Sequence, residues 1–327
     1  MEPKFLLQII SFCYSSTISF LKFLSFWILN FSRIFPTISG KILSLYFLSC
    51  GISECTIDLD DQTTVNFWVT NHRKFNKPNL VLIHGYGGDS RWQFLGQVQL
   101  LSQAFNLYMP DLLFFGKSFT KRRGRSDAFQ AECVREGLKK LGLKRYNLIG
   151  LSYGGYVAYR LAANYADEVE KLVIMSSGIC YTEEQKEEHF RKIGNLSDLL
   201  LPQKPEDVRA MIKLSMHKTN PMKWMPDFII SEFINVMGNN HRKEKLELVE
   251  HLLAKKADTN PPVLTQETLL IWGDQDKVFP VSLAHQLQRH LGPKSRVEII
   301  KDAGHAVNME SPDAVNSLLT SFLLGHS

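Results

Sequence analysis

Four short stretches of this 327-residue chain carry residue types that together can do nucleophilic chemistry. The first is Gly150-Leu151-Ser152-Tyr153-Gly154, a G-x-S-x-G match. Alone it is a weak signal. Its surroundings make it specific, because an apolar strand precedes it and a small-residue helix follows, as a nucleophile elbow requires. The second, His84-Gly85-Tyr86-Gly87-Gly88, follows an earlier apolar strand. Its glycines let backbone approach a substrate carbonyl, and the N–H groups of Tyr86 and Tyr153 are the expected oxyanion donors. His84 reads as a structural residue at a strand end. The third is Trp272-Gly273-Asp274-Gln275-Asp276, where one of two acids should hydrogen-bond an imidazole. The fourth is Gly304-His305, on a loop after the last strand. An imidazole within reach of Ser152 would take its proton, and a carboxylate would fix the imidazole's tautomer.

Short strands alternating with helices must position these residues. Thr56–Leu59 and Thr64–Val69 read as a hairpin joined by Asp60-Asp61-Gln62. Strands are expected over Asn79–Ile83, Asn106–Met109, Tyr146–Gly150, Val169–Met175, Thr268–Trp272 and Arg296–Ile300. Helices are expected over Arg91–Ala104, Ala128–Leu141, Gly154–Tyr165, Ser282–Leu291 and Pro312–Leu324, the second with apolar spacing near 3.6. Such alternation implies an α/β fold: a mostly parallel sheet covered on both faces, with the hairpin as an antiparallel edge. It stops between about Tyr181 and Asn260, where the chain is charged, helical and punctuated by Pro202, Pro205, Pro221 and Pro226. That stretch is too long for a connecting loop and reads as an inserted helical cap. The expected division is an apolar N-terminal segment over 1–53, a core over 54–178 and 262–327, and the cap over 179–261.

Composition narrows the function classes. Net charge is +5, and the basic residues are scattered apart from Lys121-Arg122-Arg123 and Arg125, which argues against nucleic acid. Five irregularly spaced cysteines, Cys13, Cys50, Cys55, Cys133 and Cys180, form neither a disulfide framework nor a zinc pattern and read as reduced thiols. No metal and no cofactor is expected. Phe5–Phe31 is apolar and aromatic, with Phe20, Phe23, Phe26 and Trp27 among its residues, though diluted by serines and Lys22. Ile34–Leu48 is a second apolar run, and no acid lies between Glu2 and Glu54. This segment is too long for a cleavable signal peptide and predicts a membrane anchor or interfacial helix pair, with the catalytic domain in the cytosol. The alternatives are a hydrophobic collar packed on the core, and a cytoplasmic protein.

Over about residues 54 to 325 the chain resembles the α/β-hydrolase superfamily. The likeness rests on the His84-Gly85 loop, Pro110-Asp111 with Gly116-x-Ser118, the serine elbow, Gly273-x-x-Asp276-x-x-x-Pro280 and Gly304-His305. It implies the α/β-hydrolase fold, with Ser152 as nucleophile, His305 as base and Asp276, rather than its companion Asp274, as the orienting acid. The order Ser, Asp, His is that of this fold. Within the superfamily the chain resembles the monoacylglycerol-lipase-like and carbon–carbon-bond hydrolase branches, particularly membrane-associated plant members. Epoxide hydrolases and haloalkane dehalogenases carry an aspartate where Ser152 stands. One departure is Leu112-Leu113-Phe114-Phe115, where relatives usually have polar or glycine residues; it reads as an apolar rim or as packing.

Met222, Trp224, Met225, Phe228, Ile229, Phe233, Ile234 and Met237 crowd one part of the expected cap, several three or four apart. Trp224 and Phe228 are the expected substrate contacts. The expected activity is ester hydrolysis by a monomer, through an acyl-serine intermediate, on an apolar acyl substrate such as a monoacylglycerol. Alternatives on the same triad are a carbon–carbon-bond or specialised-metabolite hydrolase and an acyltransferase. A non-catalytic hormone receptor is the rival from another class.

Overall fold

The computed structural model describes residues 40–194, 196–238, 240–256 and 261–325. The apolar run Phe5–Phe31, with its expected membrane role, lies outside the described residues.

Strand β1 (Ile52–Asp58) pairs antiparallel with β2 (Thr63–Thr70), as the hairpin pattern predicts. Strands β3 (Asn79–Ile83), β4 (Asn106–Pro110), β6 (Tyr146–Leu151), β7 (Val169–Met175), β8 (Glu267–Gly273) and β9 (Ser295–Ile300) form the parallel part. The order is β1-β2-β4-β3-β6-β7-β8-β9, and the two-residue β5 (Phe119–Thr120) pairs with β2. Both faces are covered, so the central strands are continuous apolar runs rather than alternating ones. Along β3, Val81 and Ile83 enter one core while Leu80 and Leu82 enter the other.

Helix α1 spans 40–49. Leu43 and Phe47 are buried, and the Phe47 ring meets Trp68 edge-on at 5.5 Å. Residues 40–53 were expected within the apolar N-terminal segment; their inward face instead packs on the sheet, and Ile52 and Ser53 already belong to β1. The helix expected over Arg91–Ala104 is two pieces, α2 (Ser90–Gln93) and α3 (Leu95–Ala104), because the chain turns at Phe94 to bury that ring. Helix α4 (Asp127–Lys140) starts on Ser126, whose hydroxyl caps it by accepting from Phe129 N–H. Helix α5 (Tyr153–Asn164) follows β6 directly. Helices α11 (Ser282–Leu291) and α13 (Pro312–Leu324) complete the two layers.

Between β7 and β8 the chain forms α6 (Glu183–Ile193), α7 (Leu196–Leu200), α8 (Pro205–Ser215), α9 (Asp227–Phe233) and α10 (Arg242–Ala254); α9 runs on into a π-turn at Ile234–Gly238. This helical insert has a small core of its own, Val208, Ile230 and Ile234, flanked by Ile212, Met222 and Met225.

Candidate active site

Ser152 sits at the hinge between β6 and α5 with φ 53° and ψ −117°. A non-glycine residue holds such a conformation only where its surroundings over-determine it. They do so here through glycines. A Cβ on Gly150 would lie 2.5 Å from the Gly154 carbonyl oxygen, and one on Gly154 would lie 2.4 Å from the carbonyl oxygens of Ile83 and His84. The elbow thus packs against the end of β3, and Gly85 backs onto Ser152 itself, where a Cβ would meet the serine Cβ at 2.9 Å.

The loops after β8 and β9 bring the other two groups to the same sheet edge. His305 Nε2 lies 2.8 Å from Ser152 Oγ, and His305 Nδ1 lies 3.0 Å from Asp276 Oδ2. The imidazole can therefore accept the serine proton at Nε2 while its Nδ1–H donates to the carboxylate. Asp276 and His305 are both buried. Asp276 Oδ1 accepts from Val278 N–H and Phe279 N–H, each at 2.8 Å, which fixes the carboxylate plane. Asp274 faces elsewhere: its Oδ1 contact is Ala303 N–H at 3.4 Å. Of the two acids, Asp276 is the one within hydrogen-bond distance of His305.

Tyr86 and Tyr153, the residues expected to supply oxyanion donors, flank the serine. Their rings lie 6.2 Å apart. Gln93 pins the loop between them, accepting from Gly85 N–H at 2.7 Å and donating to the Gly85 carbonyl at 3.1 Å. His84 is fully buried, which pushes its pKa down to about 4. Its Nδ1–H donates to the Gly85 carbonyl, and Nε2 accepts from Leu112 N–H at 2.9 Å. Held neutral between two backbone groups, His84 is structural, as its strand-end position predicts.

A cavity of about 290 Å³ opens beside Tyr86 and Gly87. One wall comes from the insert: Leu200, Leu201, Met211, Phe233 and Ile234. The core side carries ion pairs, Glu54 with Lys117 and Asp89 with Arg91, and the insert adds Lys245 from α10. Burial pushes Lys245 down to about 8. Of the run Leu112–Phe115, only Phe115 lines the cavity; Leu112, Leu113 and Phe114 are buried packing.

The expected substrate contacts Trp224 and Phe228 do not line this cavity. Trp224 is 85% exposed, its ring covered by the Lys223 ammonium at 5.2 Å, and Phe228 is 38% exposed. Helical spacing put them on the crowded apolar segment, but the inward positions go to Ile230, Ile234 and Phe233. The Phe233 ring meets Trp92 at 6.1 Å. Phe233 was visible in the sequence; Met211 and Leu200–Leu201 were not, since nothing local separates a wall residue from a packing residue. Among the described residues no cluster of His, Cys, Asp and Glu could hold a metal, and none of the four described cysteines forms a disulfide.

The chain is similar to known proteins. The α/β hydrolase fold family matches residues 78–211. A 2-hydroxy-6-oxononadienedioate/2-hydroxy-6-oxononatrienedioate hydrolase of Pseudomonas sp. is 29% identical over 252 residues, covering 75% of this chain and 87% of its own. A monoacylglycerol lipase of Homo sapiens is 27% identical over 265 residues, covering 77% of each chain. Among solved structures, a bacterial membrane phospholipase A superposes with a TM-score of 0.76 at 23% identity, covering 99% of both chains, a likeness of fold.

Proposed function

Starting from a chain that is a hydrolase of the α/β fold, we propose that it is a serine carboxylester hydrolase acting through an acyl-Ser152 intermediate on an apolar acyl ester such as a monoacylglycerol. The observation that carries this reading is the hydrogen-bonded line Ser152–His305–Asp276. Ser152 Oγ attacks the ester carbonyl while His305 Nε2 takes its proton. Asp276 holds the imidazole's orientation and stabilises the imidazolium. The N–H groups of Tyr86 and Tyr153 receive the oxyanion of the tetrahedral intermediate. Its collapse returns the proton to the departing alkoxide, leaving the acyl-serine. Water, deprotonated by the same imidazole, then releases the fatty acid.

The insert acts as a cap. Its apolar wall accepts the acyl chain, and methionine at Met211 suits a surface that meets variable chains. Each buried methylene contributes about 0.8 kcal/mol. The test is kcat/KM over p-nitrophenyl esters from acetyl to decanoyl, for the wild type and Ser152→Ala. A rise with chain length that vanishes in Ser152→Ala supports the reading; activity in Ser152→Ala within about tenfold of the wild type removes it.

A second reading, carbon–carbon-bond cleavage on the same triad, is supported by the likeness to the Pseudomonas hydrolase and by Lys245 in the cavity lining, a group that suits a polar oxo-acid better than an acyl chain. A flat or falling chain-length series decides for it.

Membrane attachment through the N-terminal segment completes the proposal, with the catalytic domain in the cytosol. Its support is the acid-free sequence between Glu2 and Glu54, together with Ile42, Leu45 and Leu48, which α1 leaves 58%, 64% and 48% exposed. No helix among the described residues is long and apolar enough to cross a membrane.

A further inference from the structure

Glu310 stands five residues after His305, at the end of the short helix α12 (Val307–Glu310). It takes no part in the mechanism above, yet four backbone N–H groups converge on its carboxylate. Oε1 accepts from His217, Lys218 and Thr219 at 2.8, 2.7 and 3.2 Å. Oε2 accepts from Gly304 at 2.6 Å. The first three donors belong to the cap, in the loop after α8; the fourth is the residue before the general base. Bonds of this kind, from N–H to an ionised acceptor, are about twice as strong as neutral ones.

A second contact lies on the other side of His305. Ala306 N–H donates to the Ser215 carbonyl, the last residue of α8, at 2.9 Å. Gly304 has room for no side chain, because a Cβ there would lie 2.8 Å from that same carbonyl oxygen and 3.0 Å from His217 N. The base is therefore clasped on both flanks by the cap, and among the described residues Glu310 is the side chain that closes the clasp. Burial pushes the Glu310 carboxyl up, but the four N–H donors outweigh it and its pKa is lowered.

We propose that Glu310 is a positioning residue that ties the cap to the loop carrying His305, so that a docked cap is a condition of a competent triad. This role of Glu310 rests on the reading of His305 as general base. Displacing a catalytic group by about 1 Å costs on the order of a hundredfold in rate. A clasp that slackens should act on turnover of a substrate too short to touch the cap wall, because Ser152 stays where it is while His305 shifts.

The test is steady-state hydrolysis of p-nitrophenyl acetate, whose acyl group is too short to depend on the cap wall. The full-length chain, Glu310→Gln, His217→Pro and Ser152→Ala are each measured well below their own melting temperatures. Glu310→Gln keeps the shape but turns an NH2 group toward a backbone donor; kcat should fall roughly tenfold to a hundredfold with KM within about twofold. His217→Pro deletes one donor from the cap side alone, after Met216, whose extended backbone suits a residue before proline. It should lose kcat less, with the same split, and it decides the question if Glu310→Gln fails to fold. A lower melting temperature with kcat unchanged would make Glu310 a structural rivet only, and a loss confined to KM would make the clasp a matter of substrate binding; either overturns the proposal. Full activity in Ser152→Ala would instead overturn the triad on which it rests.

Discussion

At the scale of single residues, the site turns on which groups the loops after β8 and β9 deliver to the serine. Asp276 reaches Nδ1 of His305 because its other oxygen is anchored by two backbone N–H groups, while Asp274 has no such contact with the imidazole. Asp276→Asn should therefore cost about 10⁴-fold in kcat, the scale of losing the group that fixes a catalytic imidazole. Asp274→Asn should stay within about tenfold. Steady-state kinetics of both variants checks this, and the reverse ranking would move the role to Asp274. The chemistry-bearing residues were legible in the sequence because tight turns leave traces: Gly150, Gly154 and Gly85 stand where a Cβ would strike backbone or the serine. The choice between two acids two residues apart was not legible from composition or spacing. It came from resemblance, and the geometry gives it a physical basis. Glu310 was invisible for another reason. Its four partners lie about ninety residues away in the cap or on the base loop, and a carboxylate that binds backbone leaves no pattern of side chains to read.

At the scale of elements, strand placement followed from runs buried on both faces, and those runs locate the site at the C-terminal ends of β6, β8 and β9. The cap shows where such reading stops. Its helices are amphipathic, but the apolar face is divided between its own core and the cavity wall, so periodicity alone assigned Trp224 and Phe228 to a role that Phe233 and Met211 are placed to fill. If Phe233 lines the acyl path, Phe233→Ala should flatten the chain-length series, removing part of the gain of about fourfold per methylene. Trp224→Ala should leave the series unchanged. An equal effect from both would mean the acyl chain takes another route.

Helices from core and cap also meet at Asp127, at the start of α4. Its Oδ2 lies 3.1 Å from Arg160 Nε on α5 and 2.8 Å from Lys255 Nζ, just past α10. Burial raises the Asp127 pKa, but the two cations lower it further, and the net shift is downward. A depressed carboxylate contributes stability that is present above its unfolded pKa, about 3.9, and is lost as pH falls through the folded value. Asp127→Asn should thus lower the melting temperature at pH 7, by an amount equivalent to about 1–3 kcal/mol, and weaken its fall below pH 4. An unchanged acid profile would show that the cluster contributes nothing to acid stability.

At the scale of the whole molecule, a body of ordinary composition follows an apolar segment with no acid between Glu2 and Glu54, and α1 lies at the end of that segment. Its inner face is core; its outer face shows Ile42, Leu45 and Leu48. The full-length chain should pellet with membranes and require detergent for extraction, while Leu45→Glu with Ile42→Glu should weaken that retention without loss of ester hydrolysis. Equal solubility of the full chain and of a chain beginning at Gly40 would refute membrane attachment. The mostly parallel sheet with its antiparallel edge was readable from the alternation of strands and helices. The placement of 40–49 was not, since a helix that packs one apolar face and exposes another reads in sequence like any apolar run.

The central claim is that Ser152, activated by His305, forms the covalent intermediate. The most direct measurement is labelling with a fluorophosphonate probe, followed by peptide mass spectrometry of the adduct. One probe should attach per chain, on the peptide holding Ser152. Labelling should be absent in Ser152→Ala and slowed by about three orders of magnitude or more in His305→Ala. An adduct on any other residue, or undiminished labelling of Ser152→Ala, would contradict the account.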